Sequence, residues 1–289
     1  MKSRRNNISH ILRSGLYTLA IVFALGACTE KIDLDVGTTY TRLAVEGYVT
    51  PIEGRQWIKL TKTANYFSNT PPVGVSGVTV VIDDGISIIT FTEDSTTPGL
   101  YKSPEGYTGE PGNIYNIDIQ LAENINGQSS FTATERMPYP ADKVDSIGLE
   151  YNDQWEMWMV KLYAQEPPTE DYYMFNGYVN GELITDSVDR KNISDDRLFN
   201  GNYTSGAIVM VVRGEELVPG DIFTLELSNI TKEYASYMTE LQTEIQPNDP
   251  LFSGPPANVS TNISNDAVGY FACYPSVFSS TMASVPLQW

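Results

Sequence analysis

Cys28 is the residue whose neighbours most narrowly specify a chemistry. It follows Leu25-Gly26-Ala27, and small side chains before a thiol let the thiol be acylated and the bond in front of it be cut. Upstream lie Lys2, Arg4, Arg5 and Arg13 and an apolar run from Leu16 to Ala27, the layout of a secretory leader. That run falls short of the ~20 residues needed to cross the roughly 30 Å hydrocarbon core. Residues 1–27 are therefore expected to be a lipoprotein signal peptide, with Cys28 the lipid-bearing first residue of a protein anchored to a membrane rather than spanning it. Residues 28–40 read as a polar tether, and 29–40 span roughly 40 Å when fully extended.

Carboxylates are the next candidates. Asp83-Asp84, Glu93-Asp94 and Asp195-Asp196 are adjacent pairs, and glycoside hydrolysis needs two carboxyl groups about 5 to 9 Å apart. With 36 Asp and Glu in the chain, such pairs arise by composition alone, and turn chemistry on a solvated acidic surface accounts for each. Asp195, Asp196 and Asn200 offer oxygen ligands suited to calcium, although not at EF-hand spacing. The only histidine, His10, lies in the leader. The mature chain therefore lacks imidazole for Ser-His-Asp or Cys-His catalysis and for zinc, copper or iron sites that need it. Cys273 is the only other thiol; set among aromatics with no base beside it, it reads as buried and inert. No catalytic residue, metal site or cofactor is expected, and binding is expected rather than enzymatic activity.

Binding surfaces are sought among aromatic residues and long loops. Trp155, Trp158 and Tyr172 are candidates for stacking on sugar rings, with core packing as the commoner use of such residues. Three Pro-, Gly- or Asn-rich connections, 63–76, 186–205 and 246–258, carry the apolar residues Tyr66, Phe67, Tyr203, Leu251 and Phe252. These could dock a partner or pin each loop to its own domain.

The elements that must position these residues are mainly β. Leu43, Val45, Gly47 and Val49 alternate along a first strand, followed by Trp57 to Leu60, Val78 to Ile82 and Ile86 to Phe91 around Asp83-Asp84-Gly85, Leu100-Tyr101, Ile114 to Leu121, and Phe131 to Thr134 after Asn126-Gly127. About seven short strands without helical period predict an Ig-like or transthyretin-like sandwich over 41–137. Met137-Pro138-Tyr139-Pro140 breaks the pattern and sets a boundary. A second β-sandwich-like domain is expected over 141–289, with strands at Ile147 to Tyr151, Trp155 to Tyr163, Tyr172 to Val179, Ala207 to Val212, Ile222 to Leu227, Val268 to Tyr274 and Val277 to Val285. Asn176-Gly177 and Asn180-Gly181 read as turns or bulges. Tyr234, Tyr237, Met238, Leu241 and Ile245 recur at three- and four-residue steps, predicting one helix over 231–245 capped by Asn229 or Thr231.

Without residues 1–27 the chain holds 14 Lys and Arg against 36 Asp and Glu, a net charge of about −22. Such a surface repels phosphate, so no nucleic-acid partner is expected. The stretches LAVEGYVT, IKLTKTANYFSNTPPVGVSGVTVVIDDG, PGLYKS, GNIYNIDIQ, YYMFNGYVNGE, DDRLFNGNYTSG, GDIFTLELSNITKEYASYMTELQ and PPANVSTNISNDAVGYF occur in that order from Leu43 to Phe271. In these the chain resembles the Bacteroidota outer-membrane lipoproteins of domain of unknown function 4249. The resemblance implies an outer-membrane lipoprotein without assigned catalytic residues, an accessory or cargo-binding partner of a TonB-dependent transporter. Glu30, Asp33 and Asp35 after Cys28 are similar to the acidic residues that direct such lipoproteins to the cell surface. A surface glycan-binding lipoprotein is the alternative reading, and a carboxylate-based hydrolase the third.

Overall fold

Alternation of side chains across a strand turns a period-two apolar pattern into one buried face. The first strand shows it: in β1 (Leu43–Val49) Leu43, Val45, Gly47 and Val49 are buried while Glu46 is exposed. A computed structural model of the protein describes residues 40–64, 71–141, 144–246 and 259–284, and Tyr40–Trp289 forms one compact unit. The following strands are β2 (Trp57–Lys62), β3 (Val73–Gly74), β4 (Thr79–Asp83), β5 (Ile88–Glu93), β6 (Leu100–Lys102), β7 (Ile114–Ile125) and β8 (Gln128–Arg136). The second half supplies β9 (Val144–Asn152), β10 (Met157–Ala164), β11 (Tyr172–Val179), β12 (Glu182–Leu183), β13 (Asn192–Asp195), β14 (Ala207–Arg213) and β15 (Ile222–Ile230). Helix α1 (Lys232–Ile245), β16 (Val268–Cys273) and β17 (Ser276–Met282) complete it. The fold is mainly β, with several sheets in a sandwich- or barrel-like arrangement and one α-helix among the described residues.

One nine-stranded sheet runs in the order β16-β1-β2-β6-β5-β4-β7-β8, with β3 beside β2. Its inner face packs Leu43, Ile58, Leu60, Ile82, Ile117, Ile119, Phe131 and Phe271 into one apolar cluster. The β4–β5 turn forms where Asp83-Asp84-Gly85 predicts it: Gly85 adopts φ +84°, and Asp84 Oδ1 accepts the amides of Ile86 and Ser87 at 2.9 and 2.7 Å.

The strand β16 is the departure from the sequence reading. It pairs in parallel with β1, so residues 268–273 of the segment expected to belong wholly to the second domain complete the first sheet. Both faces of β16 are covered. Phe271 and Cys273 enter the first core, while Tyr270, Ala272 and Tyr274 pack against α1 with Met174, Ile230, Ala235 and Met238. Periodicity marks such a segment as a strand but is silent about its partner, which lies more than 200 positions away in the chain.

The second half holds two smaller sheets, β14-β10-β9 and β12-β11-β15-β17, with β13 also on β11. They enclose Trp158, Val160, Leu162, Phe175, Val212, Phe223, Leu225 and Leu227. Asn176-Gly177 is no turn: both residues lie inside β11, where a Cβ on Gly177 would press on Met210 and the Phe223 ring at about 3.0 to 3.2 Å. Asn180-Gly181 does turn, with φ +51° and +86°. The cap of α1 is Thr231, whose hydroxyl accepts the Tyr234 amide at 3.3 Å.

Candidate functional site

The strands β13 and β14 follow one another in the chain but do not pair with each other. β13 hydrogen-bonds only to β11 and β14 only to β10, and their facing edges are linked by the Asn192 side chain, which donates to the Val209 carbonyl. The sheets therefore fail to close along this seam. The gap is a cavity of about 870 Å³ lined by both edges, by Leu162, Glu166, Tyr172, Tyr173 and Phe175, by Asp196 to Phe199, and by Ala235, Ser236, Thr239 and Glu240 on one face of α1. That volume lies within the ~300 to 1,000 Å³ range typical of small-molecule sites.

The loop beyond β13 is held firmly. The Asp196 carbonyl accepts the amides of Phe199 and Asn200 at 2.7 and 2.8 Å. Gly201 N donates to the Pro167 carbonyl and Glu166 N to that of Asn202, both at 3.0 Å. The Thr204 hydroxyl accepts the Ala164 amide and donates to the Leu162 carbonyl at 2.9 and 2.8 Å. Connection 186–205 is thus an ordered wall.

The doublet Asp195-Asp196 splits into opposite environments. Asp195 is paired with Arg197 at 2.8 Å, and the guanidinium hydrogen bond holds its carboxyl below the usual range. Asp196 is 3 % exposed and neither carboxylate oxygen has a hydrogen-bond partner. Burial pushes its pKa up; the charges of Asp171 and Asp195 add to this, and the nearby Asp171 and Asp196 amides oppose it without reaching hydrogen-bond geometry. Glu166, 6 % exposed, accepts the Tyr173 hydroxyl at 2.7 Å. Burial raises it as well, with the Tyr173 bond opposing and the charges of Asp196 and Asp171 reinforcing the rise. Two carboxyl groups of raised pKa thus line one apolar cavity.

The calcium arrangement read from the sequence is not assembled, because Asp195 is engaged by Arg197 and the Asn200 amide donates to the Thr169 carbonyl at 2.8 Å. Among the described residues no group of three or more His, Cys, Asp or Glu is placed to hold a metal ion. The other acidic pairs serve turns. Glu93 accepts the amides of Gly77 and Gly99 at 3.0 and 2.9 Å, and Asp94 binds Lys102 at 2.6 Å and the Thr96 amide at 2.9 Å.

The aromatic candidates are dispersed. Trp158 is 2 % exposed, its ring edge-on to Tyr151 and its indole N–H donated to the Leu217 carbonyl at 2.6 Å, so it has no face for a sugar. Trp155 is 60 % exposed but sits in the turn before β10, where Glu156 adopts φ +52°, rather than in the strand itself. Leu162, the β10 residue that lines the cavity, stands further along that strand, roughly 23 Å from Trp155 when extended. Tyr172 does line the cavity, with its hydroxyl donated to Glu170 at 2.6 Å and Lys232 over its ring at 5.7 Å. Tyr203 lies on the cavity-side loop, exposed, and donates to Asp145 at 3.1 Å. Cys28, Tyr66, Phe67, Leu251 and Phe252 lie outside the described residues.

The sequence reading passed over Glu166 and Leu198. Glu166 precedes Pro167-Pro168, and a lone acid before two prolines reads as loop. Leu198 is 86 % exposed at the cavity wall; an apolar residue amid Asp195, Asp196 and Arg197 was the available signal.

A mainly β protein with several sheets in a sandwich- or barrel-like arrangement, one α-helix among the described residues and an acid-lined cavity at an unclosed seam defines the structural class. Residues 29–278 match the family described as domain of unknown function (DUF4249), and the chain belongs to that family. No curated protein matches it. No helix among the described residues is long and apolar enough to cross a membrane.

Proposed function

We propose that the protein is a non-enzymatic outer-membrane lipoprotein, anchored through Cys28 on the cell-surface side, that serves a TonB-dependent transporter as an accessory, cargo-binding partner. The observation carrying the binding half of this reading is the cavity of about 870 Å³ between β13, β14 and α1, a volume suited to a small ligand. The leader and the small residues before Cys28 support the anchor, and the resemblance set out above supports the transporter as partner. The alternative, glycan binding, needs an exposed row of Trp and Tyr, Trp155 or Trp158 with Tyr172; Trp158 is buried, which leaves Trp155 and Tyr172 to supply it.

Two experiments test this reading. Metabolic labelling with a fatty-acid analogue should mark the wild type and not Cys28→Ser, which should leave the membrane fraction or persist uncleaved; equal labelling of both defeats the anchor. Affinity purification from gently solubilised outer membranes should recover a TonB-dependent transporter in near-equal amount. Recovery of the protein alone, with a hydrolytic activity abolished by Glu166→Gln or Asp196→Asn, would replace the accessory role by the carboxylate-based hydrolase.

A further inference from the structure

The seam cavity holds a charge imbalance that the protein does not resolve internally. A buried carboxylate with no hydrogen-bond donor is costly and rare in native structures unless something outside the chain completes it. Asp196 is such a group, and Glu166 in the same cavity satisfies one oxygen through Tyr173. Arg197, which follows Asp196 and also lines the cavity, is paired with Asp195 and largely exposed. The same wall carries the apolar side chains Phe175, Ile193, Phe199 and Ile208, alongside polar ones such as Asn192 and Thr239.

These features call for a positive charge carried on an apolar body. An inorganic ion would need six or more oxygens converging on one point, and among the described residues no group of three or more carboxylates converges. An ammonium or guanidinium asks less of geometry: it donates charge-assisted hydrogen bonds to one or two carboxylates while its stem lies along apolar side chains. We propose that the cavity between β13, β14 and α1 binds a small organic cation, an alkyl ammonium or guanidinium compound, whose charged head meets Asp196 and Glu166 and whose stem lies against Phe175, Phe199 and Ile193. This deepens the cargo-binding reading and rests on it only for the name of cargo. The binding chemistry stands apart from the transporter.

The test is calorimetric titration of the full-length protein in detergent with agmatine, a four-carbon stem bearing an ammonium and a guanidinium, and with n-butanol as an uncharged four-carbon chain. Agmatine should bind and butanol should not. Asp196→Asn should weaken agmatine about tenfold or more, and Glu166→Gln by less, since Glu166 retains Tyr173 as a partner. Affinity for agmatine should also fall once the pH is low enough for the two carboxyls to take up protons, and because burial raises both, that fall should begin above the ordinary carboxylate range. Circular dichroism of each variant confirms that it folds. Failure of agmatine to bind at millimolar concentration, equal binding by Asp196→Asn, or calcium binding that depends on Asp196 in the absence of agmatine binding each overturns the inference. Transporter recovery is measured on the same preparations. If the transporter copurifies and agmatine fails, only the ligand class falls; if agmatine binds and no transporter appears, only the accessory role does.

Discussion

The nine-stranded sheet is built from strands such as β1 that alternate buried and open faces, whereas β10, β11 and β15 of the second half are buried in nearly continuous runs, and the two regions bury different chemistry. The first encloses Ile58, Ile119, Phe131 and Phe271 with few polar intrusions, chiefly Thr50, Gln56 and Glu135. The second admits Glu166, Asn176, Thr185, Asp196, Thr204, Glu226, Ser228 and Asn229. Buried polar groups lower stability unless fully partnered, so a region that keeps many of them has been shaped by more than packing. One half reads as a frame, and the other holds the seam cavity.

The frame should break most severely. Phe271 is fully buried in the strand that returns from the far end of the chain, so Phe271→Ala should cost about 3 to 5 kcal/mol, measured by urea denaturation. A loss below ~1 kcal/mol would show that β16 contributes little to the first core and that the sheet is complete without it.

The junction of the two regions comes next. Arg55, in the β1–β2 connection, binds Glu226 of β15 at 2.6 Å, and Glu226 also accepts the Tyr178 hydroxyl at 2.5 Å. Removing the guanidinium strands a buried carboxylate, although Arg55 itself is a third exposed. Arg55→Met should therefore cost about 2 kcal/mol, less than a wholly buried pair. Adding Glu226→Gln should recover part of that loss in a double-mutant cycle. Strict additivity of the two changes would show the pair to be uncoupled.

What was legible in the sequence divides along the same line. Local signals placed the elements: alternation gave β1 and β7, Asp84 and Gly85 their turn, and the three- and four-residue spacing of Tyr234, Tyr237, Met238 and Leu241 the helix. Non-local facts were hidden. The pairing of β16 with β1, the open seam between β13 and β14, and the opposite fates of Asp195 and Asp196 depend on partners distant in sequence, and neither composition nor period encodes them. Trp155 and Trp158 could not be told apart as core or surface, because period two cannot say which face of a strand is covered when both sides of β10 carry apolar residues. The 186–205 connection was singled out for its length and polarity, and it does wall the cavity. The chemistry there belongs to Asp196 and to Glu166, a residue from a different connection.

The gentlest way to sharpen the comparison uses the doublet itself. Asp196 has a pKa raised in the folded protein above its ordinary value of about 4, so the native state holds its proton more tightly than the unfolded chain. Its contribution is present below that ordinary value and is lost as pH rises through the folded pKa. Asp196→Asn should accordingly leave stability at pH 4 nearly unchanged and, without ligand, raise it at pH 7 by ~1 kcal/mol, the order of an unsatisfied buried polar group. That corresponds to a Tm about 2 to 4 °C higher for a domain of this size. Asp195 carries the opposite sign: its pKa is lowered by Arg197, so its contribution is present above the ordinary carboxylate value and is lost as pH falls through the folded one. Asp195→Asn should therefore lower stability at pH 7, by a smaller amount that shrinks with added salt because Arg197 is exposed. Differential scanning calorimetry at pH 4 and 7 reads both changes. Two neighbouring aspartates shifting Tm in opposite directions at pH 7 would mark Asp196 as a residue kept at a cost to stability, as expected of a ligand-binding carboxylate. Shifts of the same sign would place the doublet among the ordinary solvated acids of this surface.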